Sequence, residues 1–115
     1  MKILNINRVY THLNGDPVLE ADGKTAVSLN KILANLLSGV TQGIEPAKAI
    51  DWAYKLYNDG IIKVDRTDFN KIKDLIQSHK MLTNLQIVQL VNAMEDSTEE
   101  DDAKEETLEE GTQEN

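Results

Sequence analysis

The segment YNDGIIKVDRTDF, residues 57–69, has the residue types of a calcium-binding EF-hand loop, because an Asp-Gly pair is followed by an isoleucine and several acids. With Gly60 at position 6 of such a loop, the ligand positions 1, 3 and 12 fall on Lys55, Tyr57 and Arg66. Calcium requires a cage of oxygen atoms that includes a bidentate carboxylate, and these three side chains do not supply it. The spacing therefore argues against calcium.

The same segment has an interpretation that requires no ion. Gly60 is placed to end a helix in the left-handed conformation, because glycine has no Cβ to oppose a positive φ. The β-branched run IIKV at 61–64 predicts a short strand, and Asp65 or Thr67 can cap the helix that follows. We therefore predict a helix, a strand and a helix in succession here.

Neither histidine indicates a metal site. His12 and His79 stand in different predicted elements and the chain has no cysteine, so a structural zinc site lacks ligands. The sequence also has no phosphate-binding loop, no dinucleotide-binding glycine motif and no nucleophile elbow. Because no motif indicates a reaction, we expect a protein that is not an enzyme, with no catalytic, cofactor-binding or metal-binding residue.

Charge divides the chain after residue 94. Residues 1–94 carry 11 Lys and Arg against 9 Asp and Glu, a net +2, whereas residues 95–115 carry one Lys against 11 acids, a net −10. The second segment has one large apolar residue, Leu108, too little to offset an ordering cost of about 1–2 kcal/mol per residue. We predict a single globular domain over residues 1–94 and a disordered acidic tail over 95–115, either solubilising or functional.

The composition also bears on the compartment. The 115 residues are 40% hydrophobic, which suffices for one small core. The first residues lack the long apolar segment of a secretory signal, and no apolar run approaches the roughly 20 residues that span a bilayer. We expect a cytoplasmic protein that does not contact membranes.

The first 27 residues favour strands and turns. Ile, Val, Tyr and Thr are frequent in KILNINRVYTHL, and the pairs Asn14-Gly15 and Asp22-Gly23 are typical of tight turns. We predict a β-hairpin or meander with a type I′ turn at Asn14-Gly15. Strand 61–64 is expected to join it in a small antiparallel sheet.

Four helices are predicted from apolar residues at steps of three and four. Ser28 is placed to cap the first helix, so Ser28→Ala should cost about 1 kcal/mol, and Gly39 to end it in the left-handed conformation. Pro46 suits the first turn of the second helix, whose apolar residues fall on nearly all sides and predict a central position. Thr83 and Gln86 have the spacing of a capping box at the start of the fourth helix.

Two sets of side chains are candidates for binding a partner. Apolar residues on the fourth helix would form a protein-binding patch if they are exposed, and these are Leu85, Val88 and Val91. A basic cluster, which acids at 65, 68 and 74 interrupt, is the candidate for contacts with phosphate; it comprises Lys63, Arg66, Lys71, Lys73 and Lys80. Because of the interleaved acids, a solvated surface is the favoured interpretation of this basic cluster.

The aromatic residues are expected to build the core. Stacking on nucleic-acid bases is the alternative role for such side chains. Three of the four tyrosine and tryptophan residues stand on the crowded second helix, which favours burial; the four are Tyr10, Trp52, Tyr54 and Tyr57.

Four pieces of the sequence together resemble a type of small bacteriophage or prophage protein: MKILNINRVYTHLNGDPV, DWAYKLYN, KVDRTDFNKIKDLI and LTNLQIVQLVNAMED. The resemblance covers residues 1–95 and implies a phage context with no catalytic residue. A second similarity is to the tail assembly chaperones of long-tailed phages, which are small, helix-rich and sometimes acidic at the C-terminus. The strand-rich start of this chain fits that second group less well.

These observations predict an α+β domain, with a small antiparallel sheet packed by about four helices and followed by the acidic tail. The expected function is that of a non-enzymatic accessory protein that binds another protein of phage or host, as an assembly factor or regulator, in the host cytoplasm if a phage encodes it. Self-association is a further expectation to test. One alternative is a nucleic-acid-associated protein whose tail modulates access, and the lowest-ranked is an acidic mimic of DNA.

Overall fold

The computed structural model describes residues 1–39, 41 and 43–99. Within them the chain forms four α-helices and a three-stranded antiparallel sheet, which confirms the predicted α+β class. In chain order the elements are β1 (Lys2–Asn5), α1 (Leu29–Ser38), α2 (Pro46–Asp59), β2 (Ile61–Val64), α3 (Arg66–Ser78), α4 (Asn84–Glu95) and β3 (Thr98–Glu99).

The sheet has the strand order β2-β1-β3, so that β1 lies in the middle. Leu4 pairs with Ile62 and Lys2 with Val64, which confirms that strand 61–64 joins the N-terminal strand. Side chains alternate between the two faces of a strand. Leu4, Ile62 and Val64 are accordingly buried, whereas Ile61 on the opposite face is exposed.

The N-terminal hairpin is only partly present. Of the first 27 residues only β1 enters the sheet; the remainder forms isolated bridges, Thr11 with Pro17 and Leu19 with Ala26. The expected type I′ turn at Asn14-Gly15 is replaced by a longer loop, in which Gly15 N donates to His12 O and His12 N donates to Asp16 O. This pairing places Gly15, with φ 91°, at the end of a three-residue loop.

The core lies between one face of the sheet and the helices. Asn30 on α1 is buried with it and donates from Nδ2 to the main-chain oxygen of Leu56 on α2 at 2.8 Å, which ties the two helices together. The largest fully buried side chains are Leu4, Ile6, Leu29, Leu33, Leu37, Leu56, Ile62, Val64, Ile72, Ile76, Leu90 and Met94.

Three predicted helix ends are confirmed. Gly60 ends α2 with φ 77°, and its N–H donates to Leu56 O and Lys55 O. Asp65, one of the two candidate caps, begins α3 and accepts a hydrogen bond from Asp68 N at 2.7 Å. Pro46 occupies the first turn of α2. Residues 57–69 therefore form the predicted helix end, strand and helix start.

The fourth helix also begins as predicted. Thr83 accepts from Gln86 N at 3.2 Å, and the Gln86 side chain accepts from Thr83 N at 3.0 Å. These two bonds form the complete capping box.

The predicted positions of both ends of α1 are confirmed, since Ser28 and Gly39 flank the helix, but two predicted details are wrong. Ser28 precedes the helix but its side chain makes no capping hydrogen bond. Leu29 N, the first amide of the helix, donates to Arg8 O at 2.8 Å, and Ser28 forms a bridge with Val9. Gly39 has φ −91° rather than a left-handed conformation.

The border between body and tail lies beyond the predicted residue 94. Glu95 is the last residue of α4, and Thr98 and Glu99 form β3 against Ile3 and Lys2. Three acids of the predicted tail, Glu95, Asp96 and Glu99, therefore belong to the folded body. The rest of the predicted tail, residues 100–115, lies outside the described residues.

Candidate functional site

The two helices that pack along each other, α1 and α2, leave a groove between them on the outside of the domain. The groove holds about 220 Å³. Its deepest side chains are two buried alanines, Ala34 on α1 and Ala53 on α2. The remaining lining residues are Asn35, Ser38, Ile50, Tyr54 and Tyr57. We call this region the α1–α2 groove.

Large apolar side chains of α2 are exposed along the groove. The Tyr54 side chain is 68% exposed and the Tyr57 side chain 51% exposed, with Ile50 also in contact with solvent. Residues at i, i+4 and i+7 lie on one face of a helix. Ile50, Tyr54 and Tyr57 therefore form a continuous apolar row on a rigid element.

A cation stands at one end of this row. Lys31 Nζ lies 5.1 Å from the centroid of the Tyr57 ring, a distance at which the ring face attracts a cation. Among the described residues no carboxylate lies within ion-pair distance of Lys31, in contrast to Lys55, which pairs with Asp51 at 3.0 Å. The positive charge of Lys31 is thus available to a bound group.

The groove continues past Ile50 toward the start of α2. A second hollow of about 270 Å³ shares Ser38 and Ile50 with the first. It is closed by the residues where α1 ends and α2 begins, Leu37, Gly39, Thr41, Pro46 and Ala49. The two hollows together follow α2 from Pro46 to Tyr57, about 16 Å at 1.5 Å per residue.

The exposure of this row corrects the expectation that the aromatic residues of α2 build the core. Only Trp52 is buried, while Tyr10 is partly buried against the core. The reason is visible in the spacing: Ala49, Trp52, Ala53 and Leu56 make the buried stripe of α2. The row at 50, 54 and 57 is offset from that stripe by one residue. Two offset apolar stripes on one helix are the sequence signal that identifies the groove.

The predicted partner-binding patch on α4 is not a single surface. Val91 packs against the core, and Leu85 is half-buried beside Leu13 in a hollow near the N-terminal loop. Val88 alone among the three is exposed, at 54%. One exposed valine does not make an apolar patch.

The predicted phosphate contacts are also divided. Lys73 forms an ion pair with Glu95 across α3 and α4, and Arg66 lies 4.0 Å from Glu99. Lys63, Lys71 and Lys80 are exposed, on β2, on α3 and after α3. The basic residues therefore lie on β2, along α3 and after it, and both Lys73 and Arg66 contact an acid of the body.

Other titratable side chains have structural partners. Lys48 on α2 donates to the buried carboxylate of Asp68 on α3 at 3.0 Å, and this hydrogen bond raises the pKa of Lys48. His79 accepts from Met81 N, and His12 is exposed. Among residues 1–39, 41 and 43–99, no three His, Asp or Glu side chains are grouped as a metal ion would require.

Every helix among the described residues is too short or too polar to cross a membrane. The chain matches no protein-family model, no curated protein and no solved structure. The geometry of the described residues is therefore the basis for inferring function.

Proposed function

We propose that this chain is a non-enzymatic accessory protein that binds a partner protein of phage or host through the α1–α2 groove, as an assembly factor or as a regulator. The observation that supports it is the exposed row of Ile50, Tyr54 and Tyr57 beside a hollow with an alanine floor. Aromatic side chains in such positions dominate the energy of protein interfaces, because they bury a large area with few rotatable bonds. The phage context rests on the sequence resemblance.

The occupant that fits this groove is an amphipathic helix of the partner. A length of about 16 Å matches about three turns of helix, whose side chains at i, i+4 and i+7 can enter the hollows. The alanine floor, Ala34 and Ala53, admits a side chain the size of leucine or phenylalanine. Lys31 at the end of the row would form an ion pair with a carboxylate of the partner. The proposed ligand is therefore an apolar helix face with an acid at one end.

The test compares three purified chains in capture experiments from the native cells: the wild type, Tyr54→Ser and Val88→Ser. Val88 is the matched control, since it is also an exposed apolar residue on a helix but lies away from the groove. Captured proteins are identified by mass spectrometry. Each is then produced alone, and its Kd for the three chains is measured by calorimetry.

Loss of a central aromatic contact costs about 2 kcal/mol, or about thirtyfold in Kd. We expect that weakening for Tyr54→Ser and an unchanged Kd for Val88→Ser. Lys31→Glu should weaken the same complex further, because it would oppose an acidic partner. Equal affinity of Tyr54→Ser and the wild type contradicts the groove as the site. If the wild-type chain captures nucleic acid, and the nucleic acid stays bound after all partner proteins have been removed, the nucleic-acid alternative is favoured.

A further inference from the structure

Within the described residues, a single direct hydrogen bond joins α1 to α2. Asn30, which is 6% exposed near the start of α1, donates from Nδ2 to the main-chain oxygen of Leu56 at 2.8 Å. That oxygen also accepts from the N–H of Gly60, the residue that ends α2, at 2.9 Å. The last turn of α2 is therefore capped by its own backbone, and it does not need Asn30 for this.

The other half of the same amide group opposes folding. Asn30 Oδ1 is buried and accepts no hydrogen bond from any described residue. A buried acceptor without a partner costs at least as much free energy as one intramolecular hydrogen bond contributes. The donated bond and the unpaired oxygen of Asn30 therefore offset each other, and stability does not explain why an asparagine is buried here.

The remaining contacts between the two helices are mostly apolar. Apolar contacts have no preferred direction, so they permit one helix to shift along another. A side-chain hydrogen bond to one carbonyl is directional, and a shift of about 1 Å is enough to break it. The residues that face each other run in opposite directions on the two helices; these pairs are Asn30 with Leu56, Ala34 with Ala53, and Leu37 with Ala49.

The hydrogen bond lies next to the cation at the end of the groove. Lys31 follows Asn30 on α1, and Tyr57 follows Leu56 on α2. Lys31 Nζ is 5.1 Å from the centroid of the Tyr57 ring, near the limit of about 6 Å at which the ring attracts a cation. A shift of α1 that breaks the Asn30 bond would therefore also move Lys31 away from the ring.

We propose that Asn30 is a positioning residue of the α1–α2 groove, whose hydrogen bond to Leu56 holds Lys31 over the Tyr57 ring without adding to the free energy of unfolding. A buried asparagine has this role in coiled coils, where it fixes the register of the helices at a cost in stability. The inference rests on the proposed function, because it concerns the same groove. Its test uses the chain alone, so it can fail while partner binding holds, and the reverse.

Asn30→Leu tests the proposal, because it removes both the hydrogen bond and the unpaired oxygen while the side chain keeps a similar size. The readout is the NMR chemical shift of the Lys31 ε-methylene protons, which the ring current of Tyr57 displaces upfield. Tyr57→Leu gives the shift in the absence of the ring. In Asn30→Leu we expect the Lys31 signal to lose most of its upfield displacement. The midpoint of urea unfolding should stay at or above the wild-type value.

Leu37→Met is the matched control. It also changes a buried residue of α1 that faces α2, at nearly constant volume, but it breaks no hydrogen bond. It should keep the full displacement of the Lys31 signal. The proposal is overturned if Asn30→Leu keeps that displacement, or if the wild-type signal coincides with that of Tyr57→Leu. It is also overturned if the urea midpoint of Asn30→Leu falls below that of Leu37→Met, because Asn30 would then stabilise the fold itself.

Discussion

Gly60 joins α2 to β2, and its replacement with alanine tests how much the left-handed backbone and the close approach of Asn7 contribute to stability. Gly60 has φ 77°, and an added Cβ would lie 2.8 Å from the Cβ and 3.3 Å from the Cα of Asn7. The left-handed conformation costs an alanine about 1–2 kcal/mol. Overlap with a neighbour that includes backbone adds about 1–3 kcal/mol. We therefore expect Gly60→Ala to lower the free energy of unfolding by about 2–5 kcal/mol.

A second glycine separates these two costs. Gly23 has φ 70°, close to that of Gly60, but a Cβ there meets no atom within 4 Å. Gly23→Ala should therefore lower the free energy of unfolding only by the cost of the left-handed conformation, about 1–2 kcal/mol. The assay is urea unfolding followed by the fluorescence of Trp52, the single tryptophan, which is buried. Comparable m-values are required before the free energies are compared.

Substitution of Asn7 then tests the overlap itself. In the Gly60→Ala background, Asn7→Gly removes the Cβ that is too close. It should restore most of the free energy of unfolding that the overlap costs, so that the two substitutions show a coupling energy of about 1–3 kcal/mol. Asn7→Ala keeps that Cβ and should recover much less. If Gly60→Ala costs no more than Gly23→Ala, the close approach of Asn7 has no energetic consequence and the reasoning is refuted.

Two further predictions concern local hydrogen bonds. Thr83→Ala should lower the free energy of unfolding in urea by about 1 kcal/mol because it breaks a complete capping box. Ser28→Ala loses no capping bond and should change that free energy by no more than about 0.5 kcal/mol. Equal costs for the two substitutions would contradict the assignment of the caps. Asp22 accepts hydrogen bonds from the hydroxyl and N–H of Thr25 and from Lys24 N, which lower its pKa from 3.8 to about 2. Its contribution to stability is therefore complete above pH 3.8 and is lost as the pH falls through about 2. An NMR titration of the carboxyl carbon should give this value, Thr25→Val should raise it, and a wild-type pKa of 3.8 would disprove the turn geometry.

Local signals in the sequence were sufficient where a structure depends on neighbouring residues. The capping box of Thr83 and Gln86, the left-handed Gly60 and the strand at 61–64 are each set by residues within about four positions of one another. The four helices follow from apolar spacing for the same reason. These features could be predicted without knowing what the elements pack against.

Features that depend on distant residues were not predictable in this way. Leu29 N, the first amide of α1, donates to Arg8 O across 21 positions, and the Ser28 side chain makes no capping hydrogen bond. Glu99 finds Lys2 across almost the whole described chain, so the body continues past the residue where the apolar pattern stops. Charge pairing and strand pairing thus ordered a segment that its composition alone marked as disordered.

The candidate site shows the same division. The sequence by itself determined that α2 carries two offset apolar stripes, because the positions of its side chains around a helix follow from their numbers. Only the tertiary structure decided which stripe is buried, since Ala49, Trp52, Ala53 and Leu56 lie in the core whereas Ile50, Tyr54 and Tyr57 stay in contact with solvent. A helix can turn one face to the core, and the choice between two apolar faces depends on the shape of what packs against it.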